Sequence, residues 1–295
     1  MMNGSPIALV PHLANEQHYE VPAEFFSEVL GERRKYSCCY WPADVEDLES
    51  AEKVALEMTI KRAGIEDGMR ILDLGCGWGS VSLWIAEHFP NSRVTSVSNS
   101  QGQHDYITKV ARSRGIDNLS VHVCDMNDFE APGTYDRIVS VEMFEHMRNY
   151  GELFRRIANW LEPDGRFFMH IFCHRTTPYE YIDKGPGDWM SRHFFSGGIM
   201  PSADLPHRFA DDLNVEKHWQ WNGTHYARTL RAWLDRMDSR KASVMPILRD
   251  TYGEEDTTRW WMRWRMFFMA CEELFAMNGG DEWFVGHYLL RKVEK

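Results

Sequence analysis

The sequence predicts a doubly wound α/β domain whose sheet is seven-stranded and mostly parallel. Three observations carry this. Short apolar runs alternate with helical stretches from Arg70 onward, a cluster of glycines closes the first of those runs, and the alternation lapses after Cys173 before resuming near the end of the chain. Strands spaced by helices in this way build parallel βαβ units with helices on both faces, and a break at a strand's carboxy end is where such folds build a pocket.

The elements follow in order. Residues 1–62 read as polar and helical, a lid segment plus a first core helix. That helix opens at Asp47-Leu48-Glu49-Ser50 and runs through Val54, Leu56, Met58 and Ile60. Residues 63–175 form the core, with strands expected at Arg70-Ile71-Leu72-Asp73-Leu74, Arg93-Val94-Thr95-Ser96-Val97, Leu119-Ser120-Val121-His122-Val123, Arg137-Ile138-Val139-Ser140-Val141 and Arg166-Phe167-Phe168-Met169-His170-Ile171. Residues 176–279 hold a loop rich in Gly, Pro and aromatics from Thr176 to Ser202, then a strand from Val215 to Trp221. Two helices follow, near Arg228 to Met237 and Thr257 to Phe275, read as a cap between the final strands. Residues 280–295 supply the last strand, around Trp283 to Leu290.

Composition narrows the function. Aromatics make up 13% of the chain, with 12 Trp and 16 Met, a surplus that points to a deep apolar pocket. A net charge of −11 argues against nucleic acid, whose phosphates need clustered Lys and Arg, and against an anionic membrane surface. No apolar run reaches the roughly 18 residues of a membrane span and no signal peptide opens the chain, so a cytoplasmic protein without stable membrane insertion is expected, as monomer or homodimer. Cys38, Cys39, Cys76, Cys124, Cys173 and Cys271 follow no disulfide framework and no metal-ligand spacing. Free thiols and no metal are the expectation.

The sharpest motif is Asp73-Leu74-Gly75-Cys76-Gly77-Trp78-Gly79, between a strand and a helix starting near Ser80. Gly75 and Gly77 allow positive φ and close approach of a ligand, whose anionic group can lie at the helix amino end. Dinucleotide enzymes share this pattern, but three details favour S-adenosylmethionine. Asp73 can accept a hydrogen bond from an ammonium group. The second strand closes on Ser98 and Asn99, with Gln103 beyond, rather than on an acidic ribose ligand. Asp125 and Met126 close the third strand, where a carboxylate can receive an adenine amino group beside an apolar contact.

At this point the chain resembles the cyclopropane fatty acid synthase superfamily, and within it the coclaurine N-methyltransferase-like enzymes. The resemblance rests on His18-Tyr19-Glu20-Val21-Pro22, Lys35-Tyr36-Ser37-Cys38-Cys39-Tyr40, the glycine motif, Glu142-Met143-Phe144-Glu145-His146-Met147, Phe194-Phe195-Ser196-Gly197-Gly198-Ile199-Met200-Pro201-Ser202 and His225-Tyr226-Ala227-Arg228-Thr229. It implies a Rossmann-like methyltransferase core, with Tyr36 and Ser37 closing over the methionine end of the cofactor. Lipid-cyclopropanating members carry Gly at the place of Glu142 and hold a bicarbonate ion. Cys38, Glu145, His170 and Tyr226 match their ion-holding residues, while Phe172 replaces the usual Ile. Glu142 and the Met-Pro-Ser sequence after Gly198 tilt the resemblance towards amine methylation.

Methyl transfer to nitrogen needs a lone pair held about 3 Å from the methyl carbon, and an alkyl amine at neutral pH is mostly ammonium. Glu142, Glu145 and His146 follow the fourth strand at its carboxy end. A helical turn opening at Val141 or Met143 would place them on one face, with His146 as general base, Glu145 positioning it or sharing that task, and Glu142 holding the ammonium of a small amine substrate. Cys38, His170, Phe172, His193 and Tyr226 are expected around the acceptor. Trp260, Trp261, Trp264, Phe267, Phe268, Cys271 and Phe275 read first as a core-facing stripe and second as an aromatic wall for a cation. A lipid-modifying enzyme is the chief rival reading, and a non-catalytic cofactor sensor ranks last because the acid and base residues are present.

Overall fold

In the computed structural model, which describes residues 2–9, 21–185 and 187–294, every expected strand forms. His18, Tyr19 and Glu20 of the first matching stretch lie outside the described residues. The main elements are α1 (Ala23–Val29), α2 (Leu48–Ala63), β1 (Arg70–Leu74), α3 (Ser80–His88), β2 (Arg93–Ser98), α4 (Gln101–Ser113), β3 (Leu119–Val123), β4 (Tyr135–Val141), α5 (Tyr150–Trp160) and β5 (Leu161–His174). After a two-stranded ribbon, β6 (Tyr179–Glu180) with β7 (Ile199–Met200), and the short α6 (Trp189–His193), come β8 (Leu213–Trp221), α7 (Gly223–Ser239), α8 (Lys241–Tyr252), α9 (Thr257–Ala276) and β9 (Trp283–Lys292).

The main sheet has seven strands in the order β3-β2-β1-β4-β5-β9-β8. The five core strands run parallel, and β9 pairs antiparallel with both β5 and β8. The strand order reverses between β1 and β4, and ligands in open α/β sheets bind at the carboxy edge beside such a switch. Local chemistry sets the ends of α2. The Asp47 carboxylate accepts from the Ser50 N–H at its start, and Gly64 at φ 65° closes it by donating to the Ile60 and Lys61 carbonyls.

The cap between β8 and β9 holds three helices rather than the two expected. The missed one, α8, carries Pro246 inside it and buries only Val244 and Leu248, so its apolar period is faint. One apolar cluster joins the cap to the amino-terminal segment: Phe25 and Phe26 of α1 pack on Trp264 of α9, at ring-centroid distances of 4.7 and 6.1 Å. Gly223 lets the cap start against the sheet, since a Cβ there would stand 2.1 Å from the Trp283 carbonyl oxygen. Among the described residues no helix is long and apolar enough to cross a membrane.

Candidate functional site

The glycine loop after β1 is drawn under β2, where the N–H groups of Gly75 and Cys76 both donate to the Val97 carbonyl. Gly75, Gly77 and Gly79 all have positive φ, which explains why the chain spends glycines there. The resulting cleft is lined by Gly75, Gly77, Ser98, Asn99, Gln103, Asp125, Met126, Glu142, Met143 and His146, with Ala8 across from them. An adjoining recess is lined by Tyr36, Ser37, Asp73, Gly75, Gly77, Trp78 and Glu142. The structure therefore brings all ten predicted cofactor residues to two connected hollows at the switch point.

Those hollows suit S-adenosylmethionine on their own polar groups. Gln103 is buried, its Oε1 accepts from Ser98 Oγ at 2.6 Å, and its Nε2 donor has no partner among the described residues. The Trp78 indole N–H is likewise left over. Asp73 is buried and receives Ser82 Oγ at 2.5 Å, and burial pushes its carboxyl up to about 6, so an ammonium ligand would favour its ionised form. Buried donors and acceptors of this kind are normally satisfied, so their presence in a cleft marks the positions of a polar ligand.

Beside the cleft lies a cavity of about 300 Å³. Its walls are Tyr36, Phe172, Tyr181, Phe195, Tyr226, Trp233, Phe267 and Phe275, with Met190, Met200, Leu230, Cys271 and Leu274 between them. Phe267, Cys271 and Phe275 of the α9 stripe thus face the cavity, while Trp261, Trp264 and Phe268 are buried in the core. Glu142 and His146 line both the cleft and the cavity, and Glu142 also lines the recess. Glu142 is the residue at which all three spaces meet.

The expected helical turn after β4 forms only in part, starting after Met143 and leaving Glu142 outside it. Glu142 takes φ 50°, in the left-handed region, and only Phe144–His146 makes a 3₁₀ turn, so Glu142, Glu145 and His146 do not share one face. Glu142 is held by three donors: the Cys38 N–H at 2.9 Å and His170 Nε2 at 3.0 Å on Oε1, and the Tyr226 hydroxyl at 2.5 Å on Oε2. Cys38, His170 and Tyr226 are the residues matched above to the ion-holding set of lipid-cyclopropanating enzymes, and here they surround a carboxylate of the chain itself. Glu145 turns away. Its Oε1 accepts from the Phe172 N–H at 2.7 Å, and its buried Oε2 has no partner among the described residues.

Placement corrects the expected acceptor shell. Phe172 and Tyr226 line the cavity, but Cys38, His170 and His193 are not among its walls. Cys38 and His170 are fully buried behind Glu142, and His193 packs edge-on to Trp189 and Trp260. Trp233, Met190 and Leu230 were missed, because nothing in their local pattern separates a cavity wall from core. Ala8 was missed too. Its backbone is clamped to the loop after β3 by both side-chain atoms of Asn127, at 3.0 and 3.1 Å.

Electrostatics sorts the three polar groups into different states. Burial works to raise the Glu142 carboxyl, but hydrogen bonds from His170 and Tyr226, with the positive charge of Lys35, outweigh it and hold the group below the usual carboxylate range. Burial, and then the charge of Glu142, push Glu145 well above that range, which favours its protonated form. Burial depresses His146 to about 4, leaving a neutral imidazole, although the Glu142 charge favours its protonation. From this, Glu145→Gln keeps an acceptor for the Phe172 N–H and is expected to hold turnover within about tenfold of wild type. Glu145→Ala strands that N–H and is expected to cost about 1–3 kcal/mol in denaturant unfolding. A collapse of turnover in Glu145→Gln at full stability would give Glu145 a direct chemical role.

The sequence matches the family described as mycolic acid cyclopropane synthetase over residues 11–283. The chain belongs to that family. It is 38% identical over 290 residues to (S)-coclaurine N-methyltransferase of Thalictrum flavum subsp. glaucum, a match covering 97% of this chain and 80% of that protein. It is 30% identical over 273 residues to the cyclopropane-fatty-acyl-phospholipid synthase of Escherichia coli strain K12, covering 92% of this chain and 66% of that one. A crystal structure of coclaurine N-methyltransferase bound to N-methylheliamine and SAH superposes with a TM-score of 0.95 at 37% identity, covering 99% of this chain and 85% of the other. As a member of this family the chain is an S-adenosylmethionine-dependent methyltransferase.

Proposed function

We propose that this enzyme methylates the nitrogen of a small, aromatic, alkaloid-like amine that enters as its ammonium form. The observation that carries the reading is Glu142, an ionised carboxylate set where the cofactor cleft opens into an aromatic cavity. When bound, the cofactor supplies an electrophilic methyl group on a sulfonium centre. Asp73, Tyr36 and Ser37 would hold its amino-acid end, Ser98, Asn99 and Gln103 its ribose, and Asp125 with Met126 its adenine, against the loop of Gly75 and Gly77.

On the acceptor side the aromatic walls attract a cation and its hydrocarbon frame together. Glu142 pairs with the ammonium, and its charge makes proton acceptance by the neutral imidazole of His146 easier. The nitrogen lone pair is then free on the side of the cavity that faces the cleft. In this assignment Glu145 positions the end of β5 through the Phe172 N–H and takes no proton.

Relatives named for coclaurine and pavine N-methylation support the amine reading. So does the shell of Glu142. Acyl-chain chemistry by the bicarbonate route would need donors that Glu142 already engages. Among the described residues the cavity walls carry no Lys or Arg to pair with a phosphorylated acceptor. The six thiols, none of them in a disulfide, support a reducing compartment, and we place the enzyme in the cytoplasm. The test is methyl transfer from labelled S-adenosylmethionine to heliamine, phosphoethanolamine and vesicles of unsaturated phospholipid. Label is expected in heliamine, and label in phospholipid alone would overturn the reading.

A further inference from the structure

Behind Glu142 runs a line of hydrogen bonds that leads to the protein surface. The register of the sheet sets His170 of β5 directly opposite His287 of β9, and His287 opposite Trp219 of β8, so all three side chains share one face. His170 and His287 are both fully buried. Arg62, in the last turn of α2, lies over that face with its guanidinium 5.1 Å from the Trp219 ring and 5.6 Å from the Trp221 ring. Its Nη1 stands 2.8 Å from His287 Nδ1. His287 Nε2 is 2.8 Å from His170 Nδ1, and His170 Nε2 is 3.0 Å from Glu142 Oε1.

A guanidinium is always a donor, which fixes the direction of every link. His287 Nδ1 must accept, so its proton is on Nε2 and is given to His170 Nδ1. His170 in turn carries its proton on Nε2 and gives it to Glu142. Trp221, 1% exposed, packs 4.2 Å from His287 and 5.5 Å from His170 by ring centroid and keeps water from the line.

We propose that Arg62 and His287 are positioning residues for catalysis, acting through His170 as a one-way donor relay that keeps Glu142 ionised and aimed at the acceptor cavity. The proposal rests on the role given to Glu142 above. Burial alone would drive this carboxylate to pick up a proton, and a neutral Glu142 could neither pair with an ammonium nor assist His146. The relay opposes that with a partly buried cation, itself partly desolvated, linked through two neutral imidazoles. Other groups also face the site. Lys35 adds positive charge from the amino-terminal strap, Tyr226 donates from α7, and Cys38, Cys271, Glu145 and His146 surround the carboxylate. His287 is faced by Arg62, His170, Lys35 and His218. Of the cations, Arg62 is the one joined to Glu142 by this hydrogen-bonded line.

The experiment compares wild type, Arg62→Met, Arg62→Lys and Glu142→Gln by kcat/KM against pH with heliamine, and reads imidazole protonation in wild type by ¹⁵N-histidine NMR, with His170→Gln and His287→Gln used only to assign signals. Losing the cation raises the proton affinity of Glu142, and the ionised form is the active one. Activity of Arg62→Met is therefore expected to fall below wild type as pH drops, by up to about threefold near pH 5 for a one-unit shift and towards about tenfold only at more acidic pH, and to recover at alkaline pH. Arg62→Lys restores most of the loss. The NMR spectrum is expected to show both imidazoles neutral, each with its proton on Nε2. An Arg62→Met profile parallel to wild type overturns the relay, as does an Nδ1 proton on either histidine. Should Arg62→Met fold poorly, or heliamine not be turned over, the wild-type NMR spectrum decides. Full activity of Glu142→Gln would instead sink the role of Glu142, a result distinct from failure of the relay.

Discussion

Glu142→Gln is expected to lower kcat/KM for a basic alkyl amine by about 10³-fold, within the range that acid–base assistance supplies, while S-adenosylmethionine affinity changes by less than about threefold. The substitution is nearly isosteric and keeps one oxygen to accept from the Cys38 N–H and His170. It removes the charge that pairs with the ammonium and that favours proton transfer to His146. It also sets an amide N–H₂ against the Tyr226 hydroxyl, which can rotate to accept, so the fold is expected to survive. Calorimetric titration with the cofactor, beside steady-state rates, separates the two effects. Loss of cofactor affinity equal to the loss of rate would mean that Glu142 holds the cofactor and not the acceptor.

Gly75→Ala is expected to weaken S-adenosylmethionine binding by about 100-fold, roughly 3 kcal/mol. Gly75 has φ 77°, where an L-residue costs about 1–2 kcal/mol. A Cβ there would also stand 2.5 Å from Met143 Cγ and 2.8 Å from Met143 Cβ. Met143 follows Glu142, so the side chain that must give way is the neighbour of the catalytic carboxylate, and turnover at saturating cofactor is expected to drop as well. Gly77→Ala has an open Cβ position at φ 53° and carries only the backbone cost. A smaller defect there than at Gly75, read by the same titration, separates strain from collision. Equal defects would assign the whole effect to backbone conformation.

The central strands were legible because they are buried on both faces and rich in apolar residues, whereas the edge strands β3 and β8 are partly exposed. Ile71, Leu72 and Leu74 of β1 are all fully buried, as expected of a short run in the middle of a parallel sheet. The cofactor loop was legible because positive φ at successive positions is affordable mainly for glycine. The conformation of Glu142 was not, since a glutamate gives no local sign of a left-handed backbone, and the helical turn drawn through it put Glu145 on the cavity side together with His146, which alone of the two lines the cavity. The Glu142 conformation is held from elsewhere in the chain, by Cys38, His170 and Tyr226. The same reason hides Arg62 and His287. Their partnership depends on the β5–β9 register across 117 residues, and on α2 lying over that face, neither of which has a local signature.

The account turns on proton removal from the acceptor, and it is tested most directly by giving Glu142→Gln an acceptor that needs none. 1,2,3,4-Tetrahydroquinoline carries an aryl amine that is neutral at neutral pH, whereas the nitrogen of 1,2,3,4-tetrahydroisoquinoline is protonated there. The ratio of variant to wild-type kcat/KM, measured for both at one pH, is predicted to lie at least about 30-fold closer to unity for the tetrahydroquinoline. The same ratio for both amines would contradict the role given to Glu142.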